Sequence, residues 1–191
     1  MLALSAGTVA GIYDGIRAIG QAINRDRAAA ELSANMQQRI AAVTAAVSNR
    51  PAPTLVMLEW TDPMFAMGNW GPELVEAAGG NLLLGEKGEM SRAIEWKAVR
   101  EADPDYLIIA PCGFGLERSM AESATLQTLP GWSELRAVAS GNVAYADGNK
   151  FFNRSGVTIV ETVEIIVEIL HRWNSGASWR DRAWRPAAAV G

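Results

Sequence analysis

Few side chains in this 191-residue sequence are equipped for bond chemistry. It holds one cysteine, Cys112, and one histidine, His171. A lone cysteine excludes an intrachain disulfide framework and any cysteine-built zinc site. A lone histidine removes most triad and metalloenzyme designs. Glu59 and Asp62 lie three positions apart around Trp60. A small hydrolytic enzyme built on Glu59, Asp62 and Cys112 is therefore the one catalytic reading the residues offer. Each has a plainer role: Asp62 before Pro63 opens a turn, a single cysteine beside a strand packs inside, and His171 near a helix end complements the helix dipole. "CGFGLE" lacks the third glycine of a dinucleotide fingerprint. No catalytic residue, resident cofactor or metal site is assigned on this reading.

Recognition is better supplied than reaction. "LEWTDPMFAMGNWGPELVEAAGG" (Leu58–Gly80) places Trp60, Phe65, Trp70, Met64, Met67, Glu59 and Asp62 within a dozen positions that fit neither a helical nor a strand period. A second unusual stretch, "PCGFGLER" (111–118), carries Phe114 and Arg118. A third, "DGNKFFNRSG" (147–156), carries Phe151, Phe152, Asn153 and Arg154.

The surrounding pattern predicts how these stretches are held. Val9, Ile12, Ile16, Ile19 and Ile23 recur at helical spacing, and so do Leu32, Met36, Ile40, Val43 and Val47. "NRDR" divides the two sets, with Asn24 or Asp26 as the expected cap of a second helix running to about Ser48. From Thr54 short apolar runs alternate with helical ones. "TLVMLEW", "DYLIIA" and "NVAYA" read as strands. "GPELVEAAGG", "AIEWKAVREADP", "LERSMAESATLQTL", "GWSELRAVASG" and "SGVTIVETVEIIVEILHRW" read as helices. Such alternation predicts an α/β fold, a three-layer α/β/α lobe with a mainly parallel sheet, preceded by a long helix. The expected divisions are a helical segment over 1–50, the lobe over 51–173 and a loose tail over 174–191.

The three unusual stretches each come directly after a predicted strand. In an open parallel sheet the loops after the carboxyl ends share one edge, where ligands bind. Glu59, Trp60, Asp62, Phe65, Trp70, Phe114, Arg118, Phe152, Asn153 and Arg154 are thereby expected around one site. Aromatic faces with a few polar groups suit a large, flat, partly polar ligand.

Bulk composition agrees with one compact unit: 49% of residues are hydrophobic, 20% are charged and mean hydropathy is +0.05. The net charge is −4, and no basic run marks a nucleic-acid partner. No apolar stretch reaches the length of a membrane span. The start, "MLALSAGTVAGIYDGIRAIG", lacks a basic n-region and reaches Asp14 early, which is not an export-signal pattern.

In order and spacing, "LEWTDPMFAMGNWGPELVEAAGG", "EADPDYLIIAPCGFGLERS" and "DGNKFFNRSG" resemble the C-terminal lobe of class III substrate-binding proteins of ABC importers, over about Leu4 to Trp173. The cobalamin-binding branch is most similar, with iron–siderophore binders as cousins. The resemblance implies a non-enzymatic protein of two α/β lobes joined by one rigid helix, matched here by "RDRAAAELSANMQQRIAAVTAAVS". Cobalamin or a related corrinoid would be the transported ligand, held between the lobes. A siderophore or haem is the alternative, with Arg118 and Arg154 pairing its carboxylates. The resemblance also implies a periplasmic or extracytoplasmic setting, although a cytoplasmic one stays open without a signal. Its N-terminal lobe has no counterpart here, so a missing lobe or a second chain is expected as partner.

Some positions depart from that pattern. Relatives often carry histidine where Asn69 stands, and proline and arginine where Val157 and Thr158 stand. The helix before "DPDYLII" usually offers a glutamate to the ABC permease. Lys97 occupies that position, leaving Glu95 as the candidate docking residue. A lobe that instead pairs with another chain would show a broad apolar patch on the first helix.

Overall fold

A computed structural model describes Leu4 and residues 6–187. In chain order the elements are α1 (Val9–Ala22), α2 (Asp26–Val47), β1 (Thr54–Thr61), β2 (Met64–Ala66), α3 (Gly71–Ala77), β3 (Asn81–Leu83), β4 (Arg92–Ala93), α4 (Trp96–Ala102), β5 (Tyr106–Ile109), α5 (Leu116–Glu122), α6 (Arg136–Ala139), β6 (Val143–Ala146), α7 (Ile159–His171) and β7 (Trp184–Pro186). The seven strands form one sheet in the order β4-β2-β1-β5-β6-β7, with β3 also paired to β1. Neighbours β3, β1, β5 and β6 run parallel, while β2, β4 and β7 are short antiparallel additions.

Alternation along the strands divides the core into two layers. Leu55, Met57, Ile108, Ala144 and Ala146 face one side, where α7 packs with α2 and α3. Val56, Leu58, Leu107, Ile109, Val143 and Tyr145 face the other, over Val99 of α4, Leu116 of α5 and Ala137 of α6. A strand buried on both faces reads as a continuous apolar run, as "LVML" and "LIIA" do. The fold is thus the expected α/β/α sandwich around a mainly parallel sheet.

The 22 residues of α2 make a rod about 33 Å long. Ala29, Met36, Val43 and Val47 form its buried stripe. Arg39 fixes its register on α7 by bonding Glu161 at 3.1 Å and Glu164 at 2.9 Å. Neither Asn24 nor Asp26 caps α2. Asn24 takes a left-handed turn conformation (φ 54°), Arg25 occupies the cap without a side-chain bond, and Asp26 falls in the first turn. There its charge still complements the dipole.

Two expected elements differ. "LERSMAESATLQTL" does not form one helix: α5 ends at Glu122, and a 3-10 turn covers Ala124–Thr128. A further 3-10 turn at Trp132–Glu134 precedes α6. Leu126, Trp132 and Leu135 are all buried in one cluster, and these short turns deliver each of them inward.

Residues 174–187 are not loose either. The buried Glu168 carboxylate of α7 accepts bonds from the Ser178 hydroxyl (2.5 Å) and the Trp179 and Arg180 amides (2.6 and 3.3 Å). Trp184–Pro186 then pair antiparallel to β6, and Trp184 is buried. A single acidic residue eleven or so positions upstream organises the segment, and no local period reveals that.

Candidate functional site

The stretch expected as an irregular loop after β1 is a β-hairpin. Leu58 pairs with Ala66 and Trp60 with Phe65, so Glu59 is the extra residue of a bulge. A cis Asp62–Pro63 peptide forms the turn, leaving Asp62 exposed at the tip. Trp60 and Phe65 are cross-strand partners and so point to the same side of the hairpin. The indole N–H of Trp60 donates to the Asp62 carbonyl at 2.9 Å, which fixes the ring's orientation. No strand period shows in the sequence because the bulge breaks the two-residue repeat at Glu59.

The loop after β5 meets this hairpin. The Cys112 amide donates to the Glu59 carbonyl at 2.8 Å, and the Phe114 amide to the Pro111 carbonyl at 3.0 Å. Gly113 closes that turn with φ 78°, a conformation only glycine takes without strain. Phe114 is thereby set against Trp60, ring centroids 5.1 Å apart and planes at 60°. The Arg118 guanidinium lies 3.7 Å from the centroid of the Phe114 ring, with Glu122 3.5 Å away. Trp60 and Arg118 thus present an aromatic–cation wall at the carboxyl edge of the sheet, with Phe114, only 8% exposed, packed beneath them as its backing.

The loop after β6 closes the same edge. Its polar residues brace the backbone rather than line an opening. Asn153 Nδ2 donates to the Ala110 carbonyl at 2.8 Å and to the Gly148 carbonyl at 3.2 Å. Arg154 clasps Asn149 through Nε (2.7 Å to the carbonyl) and Nη2 (2.8 Å to Oδ1), and the Asn149 amide donates to the Phe114 carbonyl at 3.0 Å. A Cβ on Gly148 would collide with the Pro111 and Ala110 carbonyl oxygens, so only glycine permits this approach.

The expected site residues therefore separate. Trp60, Phe65, Phe114, Arg118, Glu59 and Asp62 come together, with Asn153 and Arg154 behind them. Phe152 does not join: it is fully buried, because the π-helical turn Gly148–Phe152 rolls it into the core beside Ile159. Trp70 packs against the same core at the start of α3, its indole N–H buried without a partner. Cys112, expected inside, is exposed at this edge instead. It comes after Pro111, just past the end of β5, where the chain has already left the sheet. Ser91 and Asn149 support the site and carry no local sequence signal.

Burial pushes the Glu59 carboxyl above the usual glutamate range, against a smaller opposite pull from the Ser91 hydroxyl. Ser91 also accepts the Gly68 amide at 3.0 Å, which ties the 84–91 loop to the hairpin's return. Glu95 caps α4 from an exposed position and makes no side-chain cap bond, while Lys97 pairs with Glu101 at 3.2 Å. His171 serves α3 rather than its own helix end, its Nε2–H donating to the Ala78 carbonyl at 3.0 Å. Burial lowers its pKa below the ordinary histidine value. No group of three or more metal-ligating side chains exists among the described residues. None of the described helices is long and apolar enough to cross a membrane.

Comparison with known proteins adds the family. No curated protein matches the sequence. Among solved structures, an ABC transporter substrate-binding protein from Listeria monocytogenes is similar at TM-score 0.79 and 20% identity, over 89% of this chain and 67% of that one. An ABC-type Fe3+-hydroxamate transport protein from Saccharomonospora viridis is similar at TM-score 0.70 and 25% identity, over 87% and 57%. The haem-complexed IsdE of Staphylococcus aureus gives TM-score 0.75 and 16% identity, over 86% and 65%. The chain therefore spans 57 to 67% of the length of these proteins. A sequence profile of the periplasmic binding proteins matches residues 1–149, most of the chain and the whole span from α1 to β6. With a similar fold and that profile in agreement, the chain belongs to the periplasmic binding protein family.

Proposed function

We propose that this chain is the ligand-binding lobe of an ABC importer's substrate-binding protein, taking a flat macrocycle of the corrinoid or haem type. The observation that carries this reading is the Trp60–Phe114–Arg118 wall. The half-buried Trp60 ring, backed by Phe114, offers a face for stacking on a large ring, and the exposed Arg118 guanidinium beside it meets an acidic or amide edge. The haem-bound Staphylococcus aureus structure supports haem at least as well as cobalamin. On this reading the protein is a binding module and not an enzyme, works outside the cytoplasm, and docks on its permease through the exposed Glu95. A second lobe or chain supplies the opposite wall, because the wall described here covers one side only.

A ferric hydroxamate is the second reading, favoured by the Saccharomonospora viridis structure at 25% identity. Quenching of tryptophan emission by cyanocobalamin, haemin and a ferric trihydroxamate, each titrated separately, tests both. Saturable quenching by either macrocycle, weakened about fivefold or more in Trp60→Ala, is the expected result. A response to the hydroxamate alone would transfer the function to the second reading, and no saturable response to any of the three would sink both.

A further inference from the structure

The end of the sheet opposite the aromatic wall carries a feature that binding of a macrocycle does not use. A cavity of about 70 Å³ opens there between the starts of β5 and β6, the end of β7 and the C-terminus of α7. Arg172, Arg180, Trp184, Asn142 and Tyr106 line it. From Arg172 to Arg185 the sequence holds four arginines and one aspartate, in a chain whose net charge is −4. Arg182 lies over Trp179 and Arg185 pairs with Glu117, so Arg172 and Arg180 are the two that bring positive charge to the cavity.

The acids near it are already committed. Asp181 pairs with Arg185 at 3.1 Å, and Asp105 with Arg136 at 2.8 Å. Both oxygens of Glu168 take hydrogen bonds from the Ser178–Arg180 segment. Among the described residues neither Arg172 nor Arg180 has a carboxylate within salt-bridge distance. Arg180 rests instead 6.0 Å from the Trp184 ring. Trp184 is 6% exposed, and its indole N–H has no hydrogen-bond partner. A buried donor without an acceptor is destabilising, and the two arginines that line the same cavity ask for the same thing, an oxygen-bearing anion.

We propose that this cavity is a second site, for a small oxyanion of the phosphate or sulfate class, held by the Arg172 and Arg180 guanidiniums and the Trp184 indole N–H. Its volume suits one such ion and excludes a macrocycle, so the two sites take different ligands from opposite poles of one sheet. Arg172 is placed for the task by its left-handed backbone (φ 51°), which ends α7 and turns the chain toward the Glu168-anchored segment. The anion would bridge α7, β6 and β7, three elements that otherwise meet only through packing and the β6–β7 ladder.

The test is an NMR titration of the full chain labelled at the indole nitrogens, whose seven tryptophans report separately. Inorganic phosphate is added at constant ionic strength against chloride. In parallel, phosphatidic-acid vesicles distinguish a lipid headgroup from a free ion as the source. The Trp184 indole resonance is expected to move saturably with at least one source, and Arg172→Gln/Arg180→Gln to weaken that response about tenfold or more. Trp184→Phe keeps an aromatic ring, though a smaller one, and removes the donor, and is expected to reduce the phosphate-dependent rise in unfolding temperature. A Trp184 signal unmoved by phosphate and by vesicles overturns the proposal. So does an unchanged phosphate response in the folded double-arginine variant.

Discussion

The loops after β5 and β6 look alike in sequence, each joining phenylalanine, glycine and an arginine a few residues apart, yet different things cover their rings. Phe114, 8% exposed, is covered at the sheet edge by the side chains of Trp60 and Arg118, whereas Phe152 is enclosed in the core. The difference lies in the path the chain takes through each loop. After Phe114 the chain enters α5 at once, leaving the ring against the β1–β2 hairpin. After Asp147 a π-helical turn rolls inward, and the 174–187 segment covers it, with Trp179 edge-on to Phe151 at 5.5 Å. Whether an aromatic residue serves a ligand edge or the core depends on what covers it, not on its type.

The widest separation of the two loops is expected from truncating their rings. Phe152→Ala should lower stability by about 3–5 kcal/mol, the usual range for a buried phenylalanine, measured by urea unfolding. Phe114→Ala should cost less than that, because its ring is covered by the half-buried Trp60 and the exposed Arg118 rather than by the core, while weakening ligand quenching by removing the backing of Trp60. Equal destabilisation by the two would break the comparison. Removing the cover comes next. Glu168→Ala strips the acceptor from three donors and should lose about 2–3 kcal/mol, with limited proteolysis newly cutting near 174–180. If the segment stays protected, the β6–β7 pairing alone holds it.

A subtler probe is pH. His171 is held below its ordinary pKa by burial in the fold. Between the free histidine value and the lower folded one, the unfolded chain binds more protons, so stability falls as pH drops through that window. Above the free value the contribution is fully present. His171→Gln is expected to flatten this dependence in urea midpoints compared between pH 7.5 and 5.5 (about two units spanning the ordinary histidine pKa). An unaltered slope would assign it to other groups. Smallest of all, Arg39→Ala should remove about 1 kcal/mol or less, because the ion pairs it makes with α7 are partly exposed. A larger loss would mean that α2 depends on that clamp more than on its buried stripe.

Much of this architecture is legible in the residues. β1, β5 and β6 are apolar runs bounded by turns, and α2 and α7 keep buried stripes over three or more turns, whereas α1 buries Ile12 and leaves Ile19 and Ile23 exposed. Strands β2, β3, β4 and β7 are two or three residues long, too short to show a period, and their pairing is decided by distant neighbours. The convergence of three loops is a consequence of topology. Exposure is not: Cys112 and Phe152 exchange their expected places because a chain leaving a strand turns either outward or inward, and the choice rests on the Glu59–Cys112 and Gly148–Pro111 backbone approaches.

The shortness of those outer strands bears on strand addition. An exposed strand edge is a template for another chain's backbone. Here β4 offers two residues and β3 three at one margin, and β7 offers three at the other, one of them Pro186, which has no amide hydrogen to donate. Among the described residues each free edge is thus only two or three residues long, which discourages a second sheet from zipping onto it.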